Sequence, residues 1–255
     1  CINGATTMPY SLEIDVEAAG RTGFEYIEIW NDHSSNSKLE RYIQSHSKEE
    51  LKDLISSFDL GVSAICPFGG YVWCSETEFG RKLEKTRRYL EIGSHIGCES
   101  LLVCADGFDE KNRNKIIQDH ADRLRRLADV SEDYDVKIAL EWFWDLKDAV
   151  QVVNLANHEY LGMIIDTFHW YRGDGNMDNI DLIPSDKLFL VHINDCEDIE
   201  RGKLTDMNRV YCGYGVIPLV EILRRFRRKG YGGCLSVEIF REEYWKKDAS
   251  TIFKE

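Results

Sequence analysis

The chain has 255 residues, 43% of them hydrophobic and 30% charged, with a net charge of −13. That size allows one large domain or two small ones, and the composition is too apolar for disorder. The acidic excess argues against tracking a nucleic-acid backbone, which needs a basic stripe, and no run of eighteen apolar residues is present to span a membrane. Residues 1–7 lack the basic-then-apolar pattern of a secretory signal, and the missing initiator Met points to a chain trimmed at its start. The eight cysteines include no C-x-x-C pair, and Cys66, Cys104 and Cys234 lie in or beside apolar runs. Reduced, mostly buried thiols in a cytoplasmic protein are expected, and the spacings Cys66/Cys74 and Cys98/Cys104 do not suit a cysteine zinc site.

In chain order, the strand candidates are Cys1–Gly4, Tyr26–Trp30, Val62–Pro67, Ser100–Ala105, Lys137–Trp142, Gly162–Asp166, Leu188–Asn194 and Cys234–Phe240. Several are apolar at nearly every position, as strands covered on both faces must be. Amphipathic helical stretches alternate with them. Ser47-Lys-Glu-Glu50 and Ser75-Glu-Thr-Glu78 read as capping boxes that start two of these helices. Gly61 and Gly230 suit left-handed helix C-caps, and Pro218 can open a helix over Leu219–Lys229. Such alternation permits a closed parallel barrel or an open doubly wound sheet. An open nucleotide-binding sheet should carry a Gly-rich turn after its first strand, and Cys1-Ile-Asn-Gly-Ala-Thr-Thr7 has a single glycine. A single (β/α)8 TIM barrel over residues 1–255 is therefore expected, trimmed at its end as well as its start, since the last helix has barely begun.

In that fold the chemistry sits at the carboxyl ends of the strands. Glu141 ends strand five, Asp166 ends strand six, His192 lies in strand seven and Glu238 in strand eight. Any one alone is explained by a carboxylate paired with Arg, or by a hydrogen-bonded core histidine. Together, three carboxylates facing one centre repel one another and call for a cation. One divalent ion with three oxygen ligands and an imidazole satisfies them, and the donors suit Mn2+, Co2+, Zn2+ or Mg2+. No organic cofactor is expected.

Glu141, Asp166-x-x-His169, His192 and Glu238 on successive strands resemble the xylose-isomerase-like sugar isomerase/epimerase superfamily. Within it the chain is most similar to the inosose (2-keto-myo-inositol) isomerases of inositol catabolism. The matching stretches include Ala5-Thr-Thr7, Gly23-Phe-Glu-Tyr-Ile-Glu-Ile29, Lys137-Ile-Ala-Leu-Glu141, Asp166-Thr-Phe-His169, His192-Ile-Asn-Asp195, Leu204-Thr-Asp206 and Ser236-Val-Glu-Ile-Phe-Arg241. The resemblance implies that Glu141, Asp166, His192 and Glu238 hold one divalent ion, with Glu141 and Glu238 doubling as the acid/base pair. It also implies that His169 and Arg209 contact substrate oxygens. Arg209 stands in Arg-x-x-x-Gly213-x-Gly215-x-Ile217, a run similar to one that follows strand seven in related epimerases, although the segment 197–208 is longer here.

This equipment suits proton transfer beside a ketone, because the enediolate formed on losing that proton carries negative charge that a cation stabilises. One carboxylate can take the proton and a second can return one elsewhere. Isomerisation, epimerisation and dehydration share these residues, so the outer pocket must choose among them. Candidates there are Glu28 as a hydroxyl acceptor, Arg241 near the rim, and Trp142 within the aromatic set Trp30, Trp144, Phe168 and Trp170. A plain turn, not a phosphate site, is expected at Gly213/Gly215.

The expected activity is isomerisation of an inosose or related small polyhydroxy ketone. The alternatives are a ketose 3-epimerase, a lyase similar to 3-dehydroshikimate dehydratase, or a catalytic subunit for 3-oxo C-glycoside cleavage. Homo-oligomerisation stays open, with no interface signature in the sequence. An apurinic endonuclease of the same barrel would need histidines after strands three and four, which end Ile65-Cys-Pro-Phe68 and Val103-Cys-Ala-Asp106. A silent sugar-binding subunit would have lost an acid/base group, and both glutamates are present.

Overall fold

All the expected barrel strands form. They are β1 (Ile2–Asn3), β2 (Tyr26–Trp30), β3 (Gly61–Phe68), β4 (Cys98–Cys104), β5 (Lys137–Glu141), β6 (Leu161–Asp166) and β7 (Leu188–Ile193). A short antiparallel ribbon, β8 (Asp195–Cys196) with β9 (Arg209–Val210), then precedes the last barrel strand, β10 (Leu235–Val237). In this computed structural model, which describes residues 1–32, 34 and 37–255, the barrel closes in the order β1-β10-β7-β6-β5-β4-β3-β2 with every barrel pair parallel.

The helices are α1 (Leu12–Thr22), α2 (Lys38–Ile43), α3 (Lys48–Ser56), α4 (Glu76–Ile96), α5 (Arg113–Glu132), α6 (Leu146–Ala156), α7 (Thr167–Arg172), α8 (Met177–Asp181), α9 (Leu219–Arg228) and α10 (Ala249–Ile252). Ser47 and Ser75 form the expected capping boxes with Glu50 and Glu78 at the starts of α3 and α4. Gly230 follows α9 with φ 76°, as a left-handed C-cap glycine should. Gly61 differs from expectation. It opens β3, the left-handed residue after α3 is Asp59, and a side chain at Gly61 would collide with the Tyr26 ring. The glycine there admits a neighbouring strand's aromatic ring and does not end a helix.

Strand alternation divides the apolar residues into two cores. Inside the barrel lie Ala64 and Cys66 of β3, Leu102 of β4, Ala139 of β5, Ile164 of β6 and Leu190 of β7. Their outward neighbours, such as Ile65, Leu101, Ile138, Leu140, Ile165 and Val191, pack against the helices. A step of two from the inner residues reaches Glu141, Asp166 and His192, which therefore also face inward. Glu238, just past the short strand β10, completes the set.

Candidate metal centre

The four residues converge. One ligand atom from each of Glu141, Asp166, His192 and Glu238 lies within 4.8 Å of the others, and all four side chains are buried. Strand register explains part of this, since Asp166 pairs with His192 across β6 and β7, and Ser236 with His192 across β7 and β10. His192 Nδ1 points into the carboxylates, 3.1 Å from Glu238 Oε2 and 3.7 Å from both Asp166 Oδ2 and Glu141 Oε1. It makes no hydrogen bond there, although it is fully buried. A lone buried nitrogen aimed at three carboxylates is the donor set of a divalent cation, and the residues fit such an ion.

The opposite face of the imidazole is fixed. His192 Nε2 bonds both oxygens of Glu28 at 3.0 and 3.1 Å, and the Ser236 hydroxyl donates to Glu28 Oε2 at 2.6 Å. Because the Glu28 carboxylate can only accept, Nε2 carries the proton and Nδ1 is turned to the centre. Burial opposes charging His192, while Glu238 and Glu28 favour it and raise its pKa well above the usual range, so a divalent ion would take the place of the Nδ1 proton. Burial likewise opposes ionisation of Glu28, and His192 overcomes it, so Glu28 sits below the ordinary carboxylate range.

Asp166 divides its work between its two oxygens. Oδ1 accepts from the backbone N–H of Phe168 at 2.7 Å and of His169 at 3.2 Å, capping α7, and from Asn194 Nδ2 at 3.2 Å. Oδ2 faces the centre and takes Arg209 Nη1 at 2.6 Å. Burial would raise this carboxyl, yet Arg209 and the histidines hold it well below the normal range.

At Glu238 burial prevails over His192 and Arg209 and pushes the carboxyl up to about 7. Asn3 Nδ2 donates to Glu238 Oε1 at 3.1 Å, and Arg209 Nη1 to Oε2 at 3.1 Å. Glu141 Oε2 accepts from the Cys104 thiol at 3.4 Å, residues brought together as a β4–β5 pair.

Arg209, 1% exposed, is delivered by the ribbon strand β9. Its Nη2 donates to His169 Nε2 at 3.0 Å and to Asp206 Oδ1 at 2.8 Å. Burial lowers the His169 pKa, which keeps the ring neutral and its Nε2 free to accept. A cavity of about 780 Å³ opens above the centre, walled by Trp30, Phe143, Trp144, His169, Arg209 and Phe240. That volume suits a small organic ligand.

Three sequence expectations do not hold. Glu28 is buried beneath the centre with both oxygens engaged by His192 and Ser236, so it orients a ligand and receives no substrate hydroxyl. Trp142 turns away into a cluster with Phe108, His120 and Trp144, and the cavity wall comes from Phe143 and Trp144 instead. Arg241 pairs with Glu197 at 2.8 Å and Glu243 at 3.1 Å, and its Nη1 reaches the Arg209 carbonyl at 3.4 Å. It braces the ribbon and does not line the cavity.

Sequence reading gave no site role to Asn3, Asn194, Cys104 or Asp206. Asn3 and Asn194 follow the same inward alternation as the acids, so the period of two was the available signal. Around Gly213 and Gly215 the plain turn holds: the Asp195 carboxylate accepts from both glycine N–H groups, at 3.1 and 3.0 Å, and from Ile217 N at 2.8 Å.

The chain is similar to known proteins. The chain is 27% identical to an inosose isomerase of Halalkalibacterium halodurans over all of its own length and 92% of the relative's. A 3-dehydroshikimate dehydratase of Pseudomonas aeruginosa is also 27% identical, over 93% of this chain but only 37% of that longer protein. The solved structure of the IOLI protein with a bound zinc atom superposes with a TM-score of 0.91, at 28% identity, covering all of this chain and 93% of the other. A family model described as xylose isomerase-like TIM barrel matches residues 16–255. With the closed parallel barrel and its acid–histidine centre, that match places the chain in the xylose isomerase-like TIM-barrel family.

Proposed function

We propose that this protein is a divalent-metal-dependent isomerase of a small polyhydroxy ketone, with a keto-inositol of the inosose type as its substrate. The observation that carries this reading is the orphaned His192 Nδ1 among three buried carboxylates at the floor of an open cavity. The full-length likeness to inosose isomerases supports the substrate class.

Glu141, Asp166, His192 and Glu238 are the residues that would hold the ion. When bound, that ion would supply Lewis-acid stabilisation of the negative charge that grows on the ketone oxygen. The protein's own groups do the rest. Glu141 and Glu238 come from β5 and from the end of β10, with β6 and β7 between them around the barrel. They therefore flank a bound ketone from two sides, one removing the proton beside the carbonyl and the other returning one. Arg209 and His169 place cation and imidazole at the cavity wall, where they orient substrate hydroxyls. Phe143, Trp144 and Phe240 cover the apolar face of a ring and exclude water.

Proton NMR of the Mn2+-loaded protein with scyllo-inosose in deuterated water tests the proposal. Deuterium should enter beside the carbonyl and a second keto-inositol should appear. Silence towards this ketone, with exchange into fructose or tagatose instead, would move the protein to the epimerases. Loss of a hydroxyl from 3-dehydroshikimate would move it to the dehydratases.

A further inference from the structure

The mouth of the cavity has a charge pattern that a neutral ketone leaves unused. Arg172, the last residue of α7, and Arg201, on the turn at the tip of the β8–β9 ribbon, both line the cavity and are exposed. Among the described residues neither has a carboxylate within ion-pair distance. Arg209, deeper in the same cavity, is by contrast fully paired with Asp166, Glu238 and Asp206.

Arg201 is also held in place. Its guanidinium lies 4.2 Å from the centroid of the Tyr171 ring, the neighbour of Arg172. It fills the space over Gly175 (φ 58°), where any side chain would collide with it. A planar cation seated on an aromatic ring, with no anion of its own and a second arginine lining the same cavity, is prepared for a carboxylate or phosphate. The same cavity is lined by Glu141 and Glu238 of the acid–histidine centre. An anionic ketone would be oriented there, its charge at the arginines and its carbonyl at the acid–histidine centre.

We propose that Arg172 and Arg201 form an oxyanion subsite, so that the favoured substrate is a polyhydroxy ketone carrying a carboxylate or phosphate away from its carbonyl. This rests on the isomerase reading above, keeps its chemistry, and ranks an anionic ketone above the neutral inosose as substrate. The ribbon supplies Arg201, Asp206 and Met207 to the cavity, which makes the long 197–208 segment the element that sets specificity.

Calorimetry and steady-state kinetics on the metal-loaded enzyme compare each charged ketone with a neutral counterpart. Fructose 6-phosphate is set against fructose for the phosphate arm, and 3-dehydroshikimate against its methyl ester for the carboxylate arm. At least one charged member should bind about tenfold more tightly at low salt, and the gap should narrow as salt is added. The double variant R172A/R201A should reduce that gap to about twofold. G175A, which displaces Arg201 without removing a charge, should reduce it in part. Equal binding within both pairs, or a preference that R172A/R201A leaves intact, overturns the subsite. Scyllo-inosose exchange is measured in parallel, so failure of the isomerase reading is seen separately from failure of the binding preference.

Discussion

Glu28 acts on the centre without touching it, by fixing which nitrogen of His192 carries a proton. Glu28→Gln keeps the shape but weakens the acceptor, and should loosen divalent-metal binding about tenfold in calorimetric titration while the fold stays intact. On the proposed mechanism, Glu238→Gln removes both a ligand charge and a proton carrier. Turnover should fall on the order of 10³-fold, and near-normal rates would refute the role. The residues of the centre were legible in the sequence because each interrupts an apolar strand, where an unpaired charge costs several kcal/mol. The roles of Glu28, Trp142 and Arg241 were not legible. Whether such a side chain faces the cavity or a neighbouring residue depends on contacts far apart in the chain, such as Glu28 with Ser236 or Arg241 with Glu197.

At the scale of elements, the strands and the two capping boxes could be read from local pattern, as Ser47 and Ser75 illustrate. The ribbon could not. Each of its strands has two residues, too few to show any alternation, and it is stabilised by the Asp195 carboxylate and by Arg241 from beyond β10. A second hidden device joins α1 to α2. Buried Lys38 at the start of α2 binds Asp15 of α1, as well as the Thr7 carbonyl and hydroxyl at 2.8 and 3.1 Å. Lys38→Met would leave Asp15 buried without its cation, and chemical denaturation at neutral pH should show a loss of about 3 to 5 kcal/mol.

Burial pushes Asp15 itself up to about 6 despite Lys38, so the folded chain keeps this proton at pH values where the unfolded chain has released it. Between about pH 4 and pH 6 the Asp15 contribution to stability therefore declines as pH rises. The penalty of Lys38→Met should shrink towards the acid end of that window, where Asp15 is neutral. A penalty that stayed constant from pH 4 to 7 would contradict this account.

On the scale of the whole molecule, the acidic excess is mostly solvated surface, but part of it lies at the core of the barrel as three mutually repelling carboxylates. Arg209 and His192 offset that repulsion, yet burial, with Glu141 adding to it, still raises the Glu238 carboxyl. A bound divalent ion should therefore stabilise the entire fold. At a thousandfold excess over Kd the gain is about 4 kcal/mol, and chelation should lower the melting temperature on the order of 10 °C. An unchanged melting curve after chelation would argue against a resident ion. The barrel itself was legible because eight apolar runs alternating with helices leave few ways to bury both faces of a parallel sheet.

Asp166 gives this linkage a local reporter. One of its oxygens holds the first amides of α7 and the other faces the centre, so a single carboxylate is shared by a helix start and a ligand set. Exchange of the Phe168 and His169 amide hydrogens should then slow as the centre fills and serve as a gauge of its occupancy. Because α7 ends at Arg172, this one short helix joins the barrel floor, where Asp166 caps it, to the cavity lining.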